Sequence, residues 1–175
     1  MMIVRPEKSE EVPLVEGILR DAYGRDQELK ALDSLRRTQD FLPQLSLVAD
    51  EDGALRGYAL FAKAAVETSS QVFSAAALIL LAVPKEYRHK GIGERLIRHG
   101  GERCRGIDRE ILFALGDPAY FARIGFKPAS DCGLTFSWPQ QQSPLLVFAQ
   151  AALLSKLGSG TVHFPQAFQK LLSPQ

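Results

Sequence analysis

Residues 71 to 93 constrain the fold more than any other stretch. Gln71 to Val83 is a long apolar run, and nine of its residues, Ala75 to Val83, carry no polar side chain. That pattern fits a central strand buried on both faces. Pro84 ends it, because proline cannot donate to the ladder. Arg88-His89-Lys90-Gly91-Ile92-Gly93 then opens a helix on which Ile92, Leu96, Ile97, Gly100 and Cys104 share one face. Glycines at 91 and 93 leave the first helical N–H groups bare at the positive end of the helix dipole, a ready anion site. Gly100-Gly101 weakens this helix by about 1 kcal/mol per glycine relative to alanine and predicts close packing there.

Charge points the same way. The chain has 21 Lys and Arg against 20 Asp and Glu, a net charge of +1. Residues 85 to 109 hold eight bases (85, 88, 90, 95, 98, 103, 105, 109) against four acids (86, 94, 102, 108). A phosphate-bearing ligand matches this local excess. The Walker pattern G-x-x-x-x-G-K-[ST] does not occur. A dinucleotide fingerprint needs a third small residue where Leu96 stands and glycines directly after the strand, whereas residues 84 to 90 intervene.

Around this segment the sequence predicts a short strand at Met2–Arg5 and a helix capped by Ser9, with Glu10 and Glu11 in its first turn. A second helix is expected over Leu29, Leu32 and Leu35. A strand from Leu45, the turn Asp50-Glu51-Asp52-Gly53 and a return strand from Leu55 to Val66 make a hairpin. Glu110–Leu115 reads as another buried strand, and Asp117-Pro118 starts a short helix that ends by Gly125. Phe126–Pro128, Leu134–Trp138 and Leu145–Ala149 are candidate late strands, and Gly158-Ser159-Gly160 reads as a flexible loop. The expected class is α/β: an antiparallel meander followed by a β-α-β unit, giving a mixed sheet with helices on its faces.

A length of 175 residues suits a single domain over 1–175, large enough to fold without disulfides or metal. Cys104 and Cys132 are far apart, with no C-x-x-C and no His at ligand spacing, so two reduced thiols and no metal are expected. The longest apolar run is too short to span a bilayer, and MMIVRPEKSEE has no apolar leader segment, so a cytoplasmic protein without a membrane partner is expected. Balanced charge and the lack of basic–aromatic interleaving argue against nucleic acid. His99 and His163 form no visible triad with Cys or Ser, and neither G-x-S-x-G nor H-E-x-x-H occurs.

Arg88-x-x-Gly91-x-Gly93 after Leu81-Ala82-Val83 resembles the acetyl-CoA-binding signature (Q/R-x-x-G-x-G/A) of the GNAT superfamily of N-acetyltransferases. Leu115-Gly116-Asp117-Pro118-Ala119-Tyr120-Phe121 with Gly125-Phe126 resembles that superfamily's C-terminal helix and strand, and LGDPAY is similar to one group of small bacterial GNAT proteins. The resemblance spans residues 2 to 130, and Gly160-Thr161-Val162 to Ala167-Phe168 also looks like that group. It implies a GNAT-like mixed, mostly antiparallel sheet of about six or seven strands flanked by helices. It further implies a splayed parallel strand pair, here the strands ending at Val83 and running from Glu110 to Leu115, with acetyl-CoA in the wedge. The amides of His89, Lys90, Gly91, Ile92 and Gly93, with Arg88, would hold the pyrophosphate. The backbone of Leu81, Ala82 and Val83 would pair with pantetheine as with an extra strand. The acceptor implied is an amine of a small molecule or peptide, and the protein a monomer or homodimer.

Two catalytic groups depart from the family pattern. Many relatives carry a glutamate on or beside the central strand; Gln71–Val83 holds no carboxylate, and Glu67 is the nearest candidate base. The usual general-acid tyrosine falls at Phe121, with Tyr120 as its neighbour and the candidate acid. Two readings stand: an N-acetyltransferase working by direct attack, or a catalytically weak CoA-binding sensor module.

Overall fold

Residues 1–136 and 143–172 are described by a computed structural model. The apolar run forms β4 (Val72–Ala82), which pairs along its length with β3 (Ala54–Glu67). β3 pairs in turn with β2 (Phe41–Glu51), and β2 with β1 (Met2–Pro6), all antiparallel. On the other side β4 meets β5 (Leu112–Leu115) in the parallel sense, and β5 continues through β8 (Leu145–Phe148) to β6 (Lys127–Pro128). β9 (Gly160–His163) runs beside the distal end of β3 and pairs with β7 (Leu134–Thr135). The sheet thus has nine strands among the described residues, seven of them on its main path. The mixed, largely antiparallel architecture is the one expected.

Alternation along β3 and β4 supplies both faces of the core. Tyr58, Leu60, Ala62, Ala75, Ala77 and Ile79 pack beneath α1 (Val12–Tyr23) and α2 (Gln27–Arg36) through Val15, Leu19, Leu32 and Leu35. Ala59, Phe61, Ala76 and Leu78 face α3 (Ile92–Arg105) through Ile92, Leu96, Ile97 and Cys104. The expected close approach at Gly100 is present: a Cβ there would lie 2.0 Å from the Phe61 ring. Tyr58, buried at the centre, satisfies its hydroxyl on Ser46 Oγ at 2.8 Å, as a buried polar group requires.

The wedge has a local cause. Leu60 opposes Leu80 and Phe61 opposes Leu78, so Ile79 is an extra residue in β4, a bulge that bends and twists the strand. β4 and β5 pair only at Ala76–Leu112 and Ala77–Phe113. Past that point each keeps only its other neighbour.

Several local expectations change. Ser9 does not cap α1; Ser9–Glu11 is a 3₁₀ turn, and the Glu11 carboxylate accepts from Lys8 N at 2.8 Å. Glu11 is only 8% exposed and paired with Arg5 at 2.6 Å, a partner nearer than any dipole. The strand expected over 134–138 covers Leu134–Thr135, and Trp138 lies outside the described residues. Gly158 and Ser159 form the expected loop, but Gly160 already begins β9, held close against β3: a Cβ there would meet Val66 and the Glu67 carbonyl at 2.8 and 2.9 Å. Two further helices, α5 (Ala151–Leu157) and α6 (Gln166–Leu172), follow, and Gln27 Nε2 ties α2 to α6 through Leu171 O at 3.0 Å. Cys104 and Cys132 are both free thiols. Among the described residues no helix is long and apolar enough to cross a membrane.

Candidate active site

A cavity of about 760 Å³ opens where β4 and β5 part, bounded by the end of β4, the turn after it, the start of α3 and α4 (Pro118–Ala122). Its floor is Leu81 and Val83, and its rim carries His89, Gly91, Gly93 and Glu94. The turn backbone is unusual. His89 (φ 60°) and Gly91 (φ 77°) both adopt the left-handed region, which costs a non-glycine residue free energy and concentrates at ligand sites.

α3 begins directly on Gly91, and its first main-chain bond runs from Arg95 N to Gly91 O at 3.0 Å. The N–H groups ahead of it, at Ile92, Gly93 and Glu94, have no carbonyl one turn back to bond. No side chain caps this terminus among the described residues. The contrast is α4, where Asp117 Oδ1 accepts from Ala119 N at 3.0 Å. Bare N–H groups, a fourteen-residue helix dipole and adjacent basic residues together make an anion cradle.

Tyr120 projects into the same cavity. Its hydroxyl lies 2.8 Å from where a Cβ on Gly93 would be. Burial raises its pKa above that of an ordinary tyrosine; the Glu94 charge adds to this, and Arg123, 5.3 Å over the ring, opposes it. Phe121, at 6% exposure, packs edge-on against Phe126 at 5.1 Å and closely over Gly116. That packing fixes the phase of the short helix and turns Tyr120, one residue away, to the cavity.

The other expected site residues divide. Leu81, Val83, Arg88, His89, Gly91, Ile92 and Gly93 line the cavity, whereas Ala82 and Lys90 do not. Ala82 faces the core beneath α1, and Lys90 lies 5.3 Å from the Tyr87 ring centroid. Arg88 is engaged with the backbone: Nε donates to Val83 O and Nη2 to Ala22 O, both at 3.1 Å. Glu67 is not brought to the site. It pairs with Val72, nine register steps from Leu81, which is about 30 Å along a strand. Its carboxylate, 63% exposed, lies 2.9 Å from His163 Nε2.

Sequence reasoning missed Tyr23 and Arg123. Tyr23 ends an ordinary amphipathic helix, and nothing in its spacing separates it from a surface aromatic. Among the described residues no group of three His, Cys, Asp or Glu could hold a metal ion.

The profile of the acetyltransferase (GNAT) domain family matches residues 43–128, which span β2 to β6 and every element of this cavity except α1. Uncharacterized N-acetyltransferase YhbS of Escherichia coli K12 is 28% identical over 170 residues, 97% of this chain and 99% of that one. The chain belongs to the GNAT acetyltransferases. A crystal structure of YhbS in complex with CoA superposes on this acetyltransferase with a TM-score of 0.82 at 27% identity, covering 95% of this chain and 91% of that one. A GNAT acetyltransferase from Brucella melitensis, in complex with acetyl-CoA, gives a TM-score of 0.71 at 26% identity over 96% and 98% of the two chains. The GNAT assignment makes the chain an acyltransferase.

Proposed function

We propose that this acetyltransferase moves the acetyl group of acetyl-CoA onto the amine of a small molecule or peptide by direct attack, with 1–175 acting as one domain. The observation that carries the reading is the meeting of three features in one cavity: the parted strand edge, the uncapped start of α3 and the Tyr120 hydroxyl. The N–H groups of Ile92, Gly93 and Glu94 grip the pyrophosphate. The main chain of Leu81 and Val83 receives the pantetheine amides as a ladder partner. The free thiols Cys104 and Cys132 suit a reducing cytoplasm.

In the transfer, the amine nitrogen bonds to the thioester carbonyl carbon, the C–S bond breaks, and sulfur receives a proton. Tyr120 is the donor we assign, since its hydroxyl stands in the cavity beside Gly93 at the start of α3 and, like any tyrosine, is protonated at neutral pH. A CoA thiol titrates near the cysteine value of about 8.5, so its departure needs this proton only modestly. The harder requirement is a neutral amine: a lysine-like group of pKa about 10.4 costs about 4–5 kcal/mol to deprotonate at pH 7. Glu67 lies too far away to serve, so the ammonium proton passes to solvent before attack. The adduct nitrogen gives up its second proton to solvent as Tyr120 protonates the sulfur, solvent restores the Tyr120 proton, and the rate climbs with pH until the amine is neutral. The distance of Glu67 is also what favours the second reading, a weakly catalytic CoA sensor.

Thermal unfolding with acetyl-CoA, CoA and NAD in parallel tests the ligand. At one hundred times Kd a ligand adds about 2.7 kcal/mol, which raises Tm by about 5–10 °C for a chain of this size. We expect a shift with both CoA species and none with NAD. Amine-dependent thiol release across a panel of amines then separates enzyme from sensor: shifts without turnover on any amine leave the sensor.

A further inference from the structure

We propose that Tyr23 gates the wedge: in the free protein its hydroxyl occupies the main-chain groups of Leu81 that a strand-like ligand needs, and it leaves when that ligand enters. The proposal rests on the acetyl-CoA reading. A sheet edge with unpaired N–H and C=O groups is unfavourable when partly buried, and proteins cover such edges. Beyond Ala77, β4 has no strand on its β5 side. The carbonyl of Leu81 accepts from Tyr23 Oη at 3.0 Å, and the N–H of Leu81 reaches the same oxygen at 3.4 Å. Two residues on, and so on the same side of the strand, the carbonyl of Val83 accepts from Arg88 Nε at 3.1 Å. One hydroxyl serving both polar groups of one residue reproduces what an amide partner does in a ladder. Tyr23 and an incoming amide cannot both hold Leu81.

The neighbourhood lets the side chain move while its backbone stays. Lys85 N donates to Asp21 Oδ2 at 3.0 Å and Arg88 Nη2 to Ala22 O at 3.1 Å, so the end of α1 is latched to the turn. Gly24 closes the helix in the left-handed conformation (φ 69°), with its N–H on Arg20 O. Tyr23 is 36% exposed, so a rotamer change sends the ring to solvent without opening the core.

Tyr23→Phe keeps the ring and deletes the hydroxyl. The free state alone loses a hydrogen bond, so free CoA, used as probe to avoid turnover, binds the full-length variant about threefold to tenfold more tightly by calorimetry. The unliganded variant melts a few degrees below wild type, and the two melt together once saturated with CoA, because the loss belongs to the unliganded state. An unchanged Kd with both melting points lowered makes Tyr23 a structural residue and overturns the gate. Weaker CoA binding makes it a direct ligand contact and overturns the gate as well. Absence of CoA binding by the wild-type chain removes the acetyl-CoA reading itself, a different outcome from either.

Discussion

Gly93→Ala tests whether Tyr120 takes part in the transfer. A Cβ at 93 would stand 2.8 Å from the Tyr120 hydroxyl and 3.6 Å from Leu81 Cδ2. Ordinary contact begins near 3.4 Å, so the hydroxyl must retreat by at least 0.6 Å, while Leu81 need not move. The group that yields is the far end of a flexible side chain, so folding suffers little. Gly93 has no positive φ, and alanine in a helix gains up to about 1 kcal/mol over glycine. The substitution therefore leaves stability unchanged or slightly higher in denaturant titration. Turnover responds differently. A positioned acid contributes about 10²–10⁴-fold in general, and a displacement of about 1 Å costs up to about 10²-fold. A thiolate of pKa about 8.5 leans less on its acid than an alkoxide does, so kcat falls by about tenfold, measured as thiol release at saturating acetyl-CoA and amine. The decisive comparison is a double-mutant cycle with Tyr120→Phe. Once the hydroxyl is gone there is nothing left to displace, and Gly93→Ala should cause no further loss in kcat. A full tenfold loss in the Tyr120→Phe background would refute the reasoning and assign the effect of Gly93 to the phosphate cradle alone.

Gly100→Ala is the contrasting case: its Cβ would meet the Phe61 ring at 2.0 and 2.4 Å, inside a packed face. It should lose about 1–3 kcal/mol of stability, and an unaltered denaturation midpoint would show that α3 does not pack as described. Arg5 holds Glu11 and Asp50 below the usual carboxylate range, chiefly through its hydrogen bonds to them at 2.6 and 2.7 Å. Such depressed groups stabilise the fold above their unfolded pKa of about 4 and lose that contribution as pH falls through their folded values. Arg5→Met should flatten the acid limb of the stability profile, and identical limbs would count against the network. Burial pushes the Cys104 thiol up to about 12, so a chromogenic aryl disulfide reagent at pH 8 should spare it until the chain unfolds. Two fast-reacting thiols in the native protein would contradict that burial.

What the sequence discloses tracks how local its causes are. The strand, turn and glycine-led helix from 72 to 105 are legible because each signal lies within a few residues of its effect. Gly100 is legible as a close contact because its helical cost demands a packing reason. The last third is less legible. β9 spans four residues and depends on β3, about a hundred positions earlier, and α6 seats on α2 through Gln27 and Leu171. Such short elements carry too little periodicity to stand out, and their stability is tertiary. Glu67 illustrates a different failure. It is near Gln71 in sequence, yet an antiparallel hairpin sets it against the start of β4, while the wedge opens at the end. Proximity in sequence to a strand says little until the end of the strand that matters is named.

The tyrosine at 120 also bears on why residue 93 is glycine. The family signature accepts either glycine or alanine at the equivalent position, since an alanine methyl need not obstruct main-chain N–H groups. In this chain the position usually occupied by the acid holds Phe121, which the core claims through Gly116 and Phe126. The hydroxyl then reaches the cavity one residue earlier on the helix, close against the first turn of α3. At 2.8 Å from the missing Cβ, it fits only because residue 93 has none. That glycine thus seats the candidate acid against the first turn of α3, so in this chain residue 93 sets where the acid can stand. A relative with alanine in place of Gly93 should therefore carry its tyrosine at the position of Phe121. Phe121 is buried, with ring contacts to Tyr120 and Phe126, so the hydroxyl of Phe121→Tyr would enter that packing and not the cavity, and Phe121→Tyr should not rescue Gly93→Ala.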